Sequence, residues 1–269
     1  MLALFSFHGF CLRRLTFPTS TSADTFLSSL KNHLSAFLSP ALRAKILATT
    51  VAIPGVVRLE NGATSFSFGN LSWSNIDLTS PIKSLVSGKI FFANDANLAT
   101  LYEASRFRAK RKKVLYLTFS TGIGGGLAQG GKLLSRSDSF EPGHVSYSFQ
   151  GASLEWEDIA SAKILSSVYG APLSKLPLTK DITSDLISRL SLGLLDLLET
   201  ESPELIIIGG PLGLIINKIK HPLLRSLKSA LLSQGPSSPQ PSFKLIRARR
   251  PTESVIYGAY LFSKQNYRA

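Results

Sequence analysis

Apolar positions along the chain form short continuous runs that alternate with stretches of helical spacing. Continuous apolar runs bounded by turn residues are typical of buried strands, and apolar residues three or four apart are typical of helices. The predicted strands are 2–7 and 10–17, which form a hairpin turning at His8-Gly9, then 46–53, 89–93, 114–119, 205–210 and 243–246. The predicted helices follow 22–24 and 94–95, and cover 155–168, 181–200 and 253–264. This alternation predicts an α/β protein.

Two α/β units are the simplest division of this pattern. One series of strands and helices ends near a basic run at 106–113, and a second, larger series follows it. The chain has 269 residues, which fits either one large domain or two modest ones, since domains are typically about 100–200 residues long. We predict a smaller N-terminal lobe made of 1–108 together with 254–269, and a larger lobe made of 109–253.

Cysteine content, hydropathy and charge narrow the classes of protein. The single cysteine, Cys11, excludes a disulfide framework and a multi-cysteine zinc site. No apolar run approaches the roughly 20 residues of a membrane span, and the N-terminal arginines follow the apolar part, opposite to a signal peptide. We therefore expect a cytoplasmic protein with no membrane partner. The net charge is +13, but no recognisable DNA-binding pattern accompanies the basic runs, which are typical of solvated loops, so a nucleic-acid partner is not expected.

A glycine-rich segment, Ser-Thr-Gly-Ile-Gly-Gly-Gly at 120–126, directly follows a predicted buried strand. Closely spaced glycines let backbone N–H groups converge on an anion and admit a phosphate without Cβ clashes. A glycine hairpin has the same sequence without any ligand, so both interpretations remain open. The segment is not a Walker loop, because no Lys-Ser/Thr pair follows the glycines. It also departs from the dinucleotide fingerprint, because no helical pattern opens directly after it.

Three further segments carry candidate chemistry. Asp95 follows Asn94 where a strand ends and a helix begins, so it could cap the helix or accept a proton from a substrate hydroxyl. Glu141 and His144 lie three residues apart in a Glu-Pro-Gly-His turn, which could present both to one polyol or be an ordinary turn. The segment 155–158, Glu-Trp-Glu-Asp, opens a predicted helix, where acidic residues also suit the helix dipole.

Taken in order, these segments resemble the ROK family (repressors, open reading frames and sugar kinases) over almost the whole chain. The matching segments are Val51–Val57, Gly69–Trp73, Asn94–Asn97, Ser120–Gly126, Glu141–His144, Glu157–Ser161 and Ile208–Gly210. The resemblance implies an α/β, two-lobed, actin-like (ribonuclease H-like) sugar kinase fold. It also implies ATP-dependent phosphorylation of a hydroxyl of a hexose or N-acetylhexosamine.

The resemblance further implies a role for each matching residue. Asp95 would be the catalytic base. The sugar would contact Asn70, Asn94, Glu141, His144 and Glu157, and the nucleotide would lie near Thr121, Gly122, Gly124, Gly125, Gly209 and Gly210. Because Glu157 matches the family's sugar-contacting glutamate, Glu155 is not expected to be a sugar ligand. ATP and Mg²⁺ would be the cofactors, a small-molecule sugar the substrate, and a homodimer the assembly.

Two departures from the family pattern stand out. Family kinases begin with a strand and an Asp-x-Gly-Gly-Thr turn that holds the ATP phosphates, whereas residues 1–6 look like the strand after that turn. Either the start codon was assigned too late or the first strand of the N-terminal lobe is missing. Many relatives also carry Cys-x-Cys-Gly-x-x-Gly-Cys before the later glutamate. Residues 145–156 contain no cysteine, which leaves His144 as the one remaining ligand, so no structural zinc is expected.

Three functions therefore follow from the sequence, in decreasing order of support. The first is a ROK-type sugar kinase. The second is a sugar-binding pseudokinase, or a truncated gene model, that lacks the phosphate loop. The third is a DNA-binding repressor, suggested by the family name and the charge, although there is no room here for the extra helix-turn-helix domain of family repressors. The particular sugar is not selected, because hexose derivatives share the same polyol contacts.

Overall fold

The computed structural model describes residues 1–60, 63–68, 73, 76–107, 112–134, 140–218, 229, 233 and 243–267. Asn70, residues 108–111 of the basic run, and the Pro/Ser-rich stretch 234–242 lie outside the described residues. The chain divides into two compact units. The first unit is Met1–Leu98 with Val255–Ala269, and the second unit is Ala99–Ser254.

Strands and helices alternate, as the apolar pattern predicts. The strands are β1 (Leu2–Phe5), β2 (Cys11–Leu15), β3 (Ala48–Ile53), β4 (Gly55–Glu60), β5 (Ala63–Phe68), β6 (Lys89–Asn94), β7 (Lys113–Phe119), β8 (Ile123–Gln129), β9 (Lys132–Leu133), β10 (Ser146–Phe149), β11 (Ala152–Glu155), β12 (Leu205–Gly209) and β13 (Lys244–Arg247). The helices are α1 (Ala23–Phe37), α2 (Pro40–Arg43), α3 (Thr79–Lys83), α4 (Asp95–Ser105), α5 (Trp156–Ala160), α6 (Ala162–Val168), α7 (Lys180–Glu201), α8 (Gly210–Lys218) and α9 (Ser254–Tyr267).

The first unit contains two antiparallel hairpins and one parallel strand pair. β1 pairs with β2 as the sequence predicts, and Gly9 takes φ +94° in the turn between them, where glycine has no Cβ penalty. β4 pairs with β5, a hairpin that the apolar pattern does not predict. β3 and β6 run parallel with Ile53 opposite Asn94, so the ends of both strands lie side by side.

Helix α1 and the tryptophan of the first unit show how its core is held. Ser22 caps α1, because its Oγ accepts a hydrogen bond from Thr25 N–H at 3.5 Å. Trp73 is buried, its ring lies 4.7 Å from that of Phe26, and its Nε1–H donates to Thr21 O at 2.8 Å. The indole therefore has both an apolar neighbour and a partner for its N–H.

In the first unit, the first turn of α4 packs closely against α9 because one position carries no side chain. Leu98 of α4 is fully buried, and a Cβ added at Gly258 of α9 would overlap the carbonyl of Leu98. At the other end of α9, Ser263 Oγ and Thr50 Oγ1 of β3 share a hydrogen bond at 2.6 Å. Gly258 thus sets how near the two helices can lie.

A five-stranded sheet, in the order β13-β12-β7-β8-β9, forms the centre of the second unit. β12 runs parallel to both β7 and β13, while β8 is antiparallel to β7 and to β9. Gly209 at the end of β12 lies opposite Thr118 near the end of β7. The turns that follow these two strands therefore leave the sheet at the same edge.

The core of the second unit is built around Trp156, which is fully buried. Its indole meets Phe119 edge-on, with ring centroids 5.4 Å apart, and its Nε1–H donates to Arg189 O at 3.1 Å. A Cβ added at Gly193 of α7 would overlap the indole, so the helix can approach only because that position is glycine. The predicted helix over 155–168 is divided into α5 and α6, where Ser161 Oγ accepts a hydrogen bond from Ile164 N–H.

Candidate functional site

The glycine-rich segment forms a β-hairpin in the second unit. Gly124 and Gly125 lie within β8 and pair with Thr118 and Leu117 of β7. The turn itself is 120–122, closed by Ser120 N–H donating to Gly122 O at 2.8 Å. Thr121 is exposed in this turn. The hairpin interpretation thus describes the backbone, while nucleotide contact by these glycines remains a prediction.

Glu141 directly precedes a short 3₁₀ helix, Pro142–His144, that ends at His144. His144 N–H donates to Glu141 O at 3.2 Å, so the three-residue spacing closes a turn between the two residues. Gly143 is buried, and a Cβ there would overlap Ile123 O and come within 3.0 Å of Glu157 Oε2. The turn therefore lies directly against the start of β8 and against Glu157.

Glu157, in the first turn of α5, is held by the backbone at the start of β8. Its Oε2 accepts a hydrogen bond from Ile123 N–H at 3.2 Å. A Cβ at Gly122 would overlap the same carboxylate oxygen. The glycine at 122 is thus what allows this carboxylate to reach the backbone.

Glu155 completes the cluster, although the sequence does not predict it as a ligand. His144 Nδ1 lies 2.8 Å from Glu155 Oε2. The ligand atoms of His144, Glu155 and Glu157 all lie within 4.8 Å of one another. No local spacing indicates this contact, because it depends on the pairing of β10 with β11.

Two pKa values in this cluster are raised, that of Glu141 by burial and that of His144 by its hydrogen bond to Glu155. Burial raises the pKa of Glu141, the negative charge of Glu157 raises it further, and His144 opposes both. The hydrogen bond that His144 donates to Glu155 raises the pKa of His144. Burial opposes this effect, and the charges of Glu157, Glu155 and Glu141 add to it. The site therefore favours a protonated histidine among carboxylates, which together offer one cationic donor and several acceptors.

In the first unit, Asn94 and Asp95 lie where β6 ends and α4 begins. Asn94 Oδ1 accepts from Asn97 N–H at 2.9 Å, and its Nδ2 donates to Gly55 O at 2.8 Å. Asp95 Oδ1 accepts from Ala96 N–H at 2.8 Å. The Asn94 side chain thus bonds to an N–H of the first turn of α4 and also ties β6 to the start of β4.

Gly209 and Gly210 lie at the sheet edge where β12 gives way to α8. A Cβ at Gly209 would overlap the hydroxyl of Tyr116, and one at Gly210 would overlap Phe119 O. Close packing therefore explains why both positions are glycine, without reference to a ligand. The turn at 120–122 follows β7 at the same edge of the sheet, and the N-terminus of α8 also lies there. A helix N-terminus at the carboxyl ends of strands favours the binding of anions.

His144, Glu155 and Glu157 are the group that could hold a metal ion among the residues that the structure describes. The expectation that the protein carries no structural zinc stays a prediction. Within the described part of the chain, no helix is both long and apolar enough to cross a bilayer.

Comparisons with known proteins agree on one family. A model of the ROK family matches residues 1–266. The glucokinase of Thermotoga maritima is 38% identical over 35% of this chain and 31% of its own length. An N-acetylmannosamine kinase of Escherichia coli is 28% identical over 50% of this chain and 44% of its own length. The chain therefore aligns with less than half of either curated relative.

Among the solved structures that match nearly the whole chain is a ROK family glucokinase from Streptomyces griseus, in complex with glucose and AMPPNP. It is 19% identical to this chain, with a TM-score of 0.72, and the match covers 98% of this chain and 95% of that one. The likeness shows a shared fold.

Proposed function

The chain belongs to the ROK family and has the mixed α/β, actin-like fold of its sugar kinases; on that premise, we propose that it is an ATP-dependent sugar kinase. Its substrate would be a hexose or an N-acetylhexosamine, and a hydroxyl of that sugar would accept the phosphoryl group. The observation that carries this proposal is the group formed by Glu141, His144 and Glu157, in which His144 interacts with both carboxylates. It combines hydrogen-bond acceptors and a donor, as a polyol requires.

Each member of the cluster has a distinct part in sugar binding. The carboxylates of Glu141 and Glu157 accept hydrogen bonds from sugar hydroxyls, and protonated His144 donates to a hydroxyl oxygen. Hydrogen bonds to charged groups are stronger than neutral ones, which suits a site that must compete with water for a hydrated sugar. Asn94 and Asn70 contribute further contacts in this proposal, on the basis of their place in the family motifs.

Asp95 is the proposed general base. A carboxylate at the end of a strand can accept the proton of the hydroxyl that attacks the phosphoryl group. Its Oδ1 already accepts Ala96 N–H, which fixes the rotation of the carboxylate at the start of α4. Asn94 beside it supports the same turn through its bonds to Gly55 and Asn97.

The nucleotide is proposed to lie at the sheet edge of the second unit. Thr121, Gly122, Gly124, Gly125, Gly209 and Gly210 would line it. The edge fits a polyphosphate in one respect, because the turn after β7 and the N-terminus of α8 both lie there. Mg-ATP would supply the phosphoryl group and a cation that neutralises its charge. The residues of this chain would position the phosphates and exclude water.

The test of the proposed function is sugar-dependent release of ADP. The protein is mixed with Mg-ATP and a panel of glucose, fructose, N-acetylmannosamine and N-acetylglucosamine, with sugar-free and protein-free controls. We expect one or more sugars to raise ADP release above both controls. Sugar binding measured by calorimetry, without turnover on any sugar, would instead indicate a sugar-binding pseudokinase. Neither binding nor turnover would contradict both functions.

Gly122→Ala is expected to weaken sugar binding about tenfold or more, because hydrogen bonds to a charged group contribute that much. The new Cβ overlaps Glu157 Oε2 and displaces the carboxylate from Ile123 N–H. The atom displaced is the end of a flexible side chain, so the unfolding temperature should change little. Sugar Kd is measured by calorimetry.

A double-mutant cycle distinguishes this cause from a general distortion of the hairpin. If Gly122→Ala acts through Glu157, adding it to Glu157→Gln should cause much less further loss of sugar affinity than it causes alone. Equal losses in the two backgrounds would show that the glycine acts on something other than Glu157.

A further inference from the structure

The backbone places Glu155 opposite the residues that carry His144. Glu155 is the last residue of β11 and pairs with Ser146 of β10. The next residue along, Trp156, donates its N–H to Val145 O at 2.9 Å. Because the Trp156 side chain is fully buried, this end of the hairpin is anchored in the core. Strand pairing and the buried indole therefore both hold the backbone that brings Glu155 close to His144.

The contact determines which nitrogen of His144 is available to a ligand. An ionised carboxylate accepts hydrogen bonds and cannot donate them, so the 2.8 Å contact requires the proton on Nδ1. The other nitrogen, Nε2, is then available to form a hydrogen bond with a ligand. A hydrogen bond at one ring nitrogen commonly sets the state and orientation of the other.

Stability does not explain this pair. The side chains of His144 and Glu155 are 54% and 43% exposed. Ion pairs as exposed as this one add little to folding free energy. What the contact supplies is orientation, since it restricts a ring that would otherwise rotate in solvent.

We propose that Glu155 is a positioning residue of the sugar site, which holds His144 by Nδ1 so that Nε2–H is presented to a sugar hydroxyl. This inference rests on the proposed sugar-kinase function for its ligand. It gives a role to a glutamate that the family resemblance leaves aside. In this proposal Glu155 acts through His144 and not by contact with the sugar. Among the residues that the structure describes, Glu141 and Glu157 are the other charged groups that face His144.

The first test needs neither sugar nor ATP. The ring nitrogens of His144 are followed by ¹⁵N NMR against pH in the wild type, Glu155→Gln and Glu155→Ala, with Asp158→Asn as the control. Asp158 is exposed in the same helical turn as Glu157, and its variant removes one negative charge nearby. The pKa of His144 should fall in both Glu155 variants and by less in the control. Above that pKa, the Nδ1–H form should persist in the wild type and in Glu155→Gln, which keeps an acceptor, and give way to Nε2–H in Glu155→Ala.

The second test measures sugar use. Glu155→Gln should raise Kd and KM for the sugar about fivefold to tenfold, with kcat within about threefold, as expected for loss of a charge-assisted contact. Because the pKa of His144 is raised in the folded protein, sugar affinity should fall as the pH rises through that pKa. Protonation of Glu141, whose pKa is also raised, should weaken binding on the acid side. In Glu155→Gln the fall at high pH should begin at a lower pH. In Asp158→Asn the profile should shift by less than it does in Glu155→Gln.

Three outcomes would overturn the proposal. The first is a His144 titration that is the same in the wild type and Glu155→Ala. The second is an unchanged sugar Kd despite a shifted titration, which would show that His144 is held without benefit to the sugar. The third is loss of sugar binding after dialysis against a chelator with recovery on adding Zn²⁺, because a metal would then order the ring. A wild type that binds no sugar would refute the proposed function, while the NMR titration would still decide whether Glu155 holds the ring.

Discussion

Asp95→Asn should lower kcat for the sugar by about 10²–10⁴-fold, the usual contribution of a general base. Asparagine has the same shape and keeps an oxygen that can accept Ala96 N–H, so the start of α4 should be preserved. What it lacks is the ability to take a proton from the attacking hydroxyl. The sugar Kd should therefore stay within a few-fold of the wild type. Steady-state ADP release and calorimetry measure the two quantities separately.

Asp77→Asn is the matched control for this prediction. Asp77 lies in the same unit, and its Oδ1 accepts N–H groups of Thr79 and Ser80 at 2.8 and 3.1 Å. The hydrogen bonds from Ser80 hold the pKa of its carboxyl below the usual value, so the variant also removes a full negative charge. Asparagine caps helices about as well as aspartate, and kcat should be unchanged. If Asp95→Asn turned over as fast as this control, Asp95 would not be the proton acceptor.

Gly258→Ala should destabilise the first unit by roughly 1–3 kcal/mol, the cost of overpacking a close contact. In a solvated helix the same change would stabilise by up to about 1 kcal/mol. Here the added Cβ overlaps the carbonyl of fully buried Leu98, and backbone atoms cannot swing aside as a side chain can. The first turn of α4 and the backbone around position 258 must then move apart. Urea unfolding gives the change in free energy.

Gln265→Ala provides the comparison on the same helix. Gln265 is exposed near the end of α9, and its replacement should change the unfolding free energy by less than about 0.5 kcal/mol. A stabilising Gly258→Ala would mean that α4 and α9 lie farther apart than the structure shows. The sign of the effect is thus as informative as its size.

Local sequence patterns were sufficient to predict a structural feature wherever the residues that determine it lie within a few positions of one another. The hairpin at His8-Gly9, the cap at Ser22 and the three-residue spacing of Glu141 and His144 each depend on neighbours in sequence, and each is present. The α/β class and the ROK family follow from the order of such segments and are confirmed. The lobe boundaries, the roles of the site residues, ATP-bound Mg²⁺ and a homodimer remain predictions.

The remaining features depend on contacts between distant segments. Glu155 reaches His144 through the register of β10 and β11, and Glu157 reaches Ile123 across 34 residues. From the sequence alone, Gly193 is expected to destabilise its helix. The structure explains the glycine, because the indole of Trp156 lies against that position. The three glycines 124–126 suggest a loop, yet they pair along β7 as a strand. Such contacts between distant segments cannot be predicted from the local pattern of a single sequence.

The placement of the two tryptophans has a spectroscopic consequence. The chain contains Trp73 and Trp156 and no other tryptophan, one in each compact unit, and both are buried. Each indole emits from its own core, so the fluorescence of Trp73→Phe reports the second unit and that of Trp156→Phe the first. Trp156 is joined through its backbone to Glu155 and Glu157, so its emission also follows the segment that carries the proposed sugar ligands. The protein thus contains an intrinsic fluorophore for each half of its fold, without any added label.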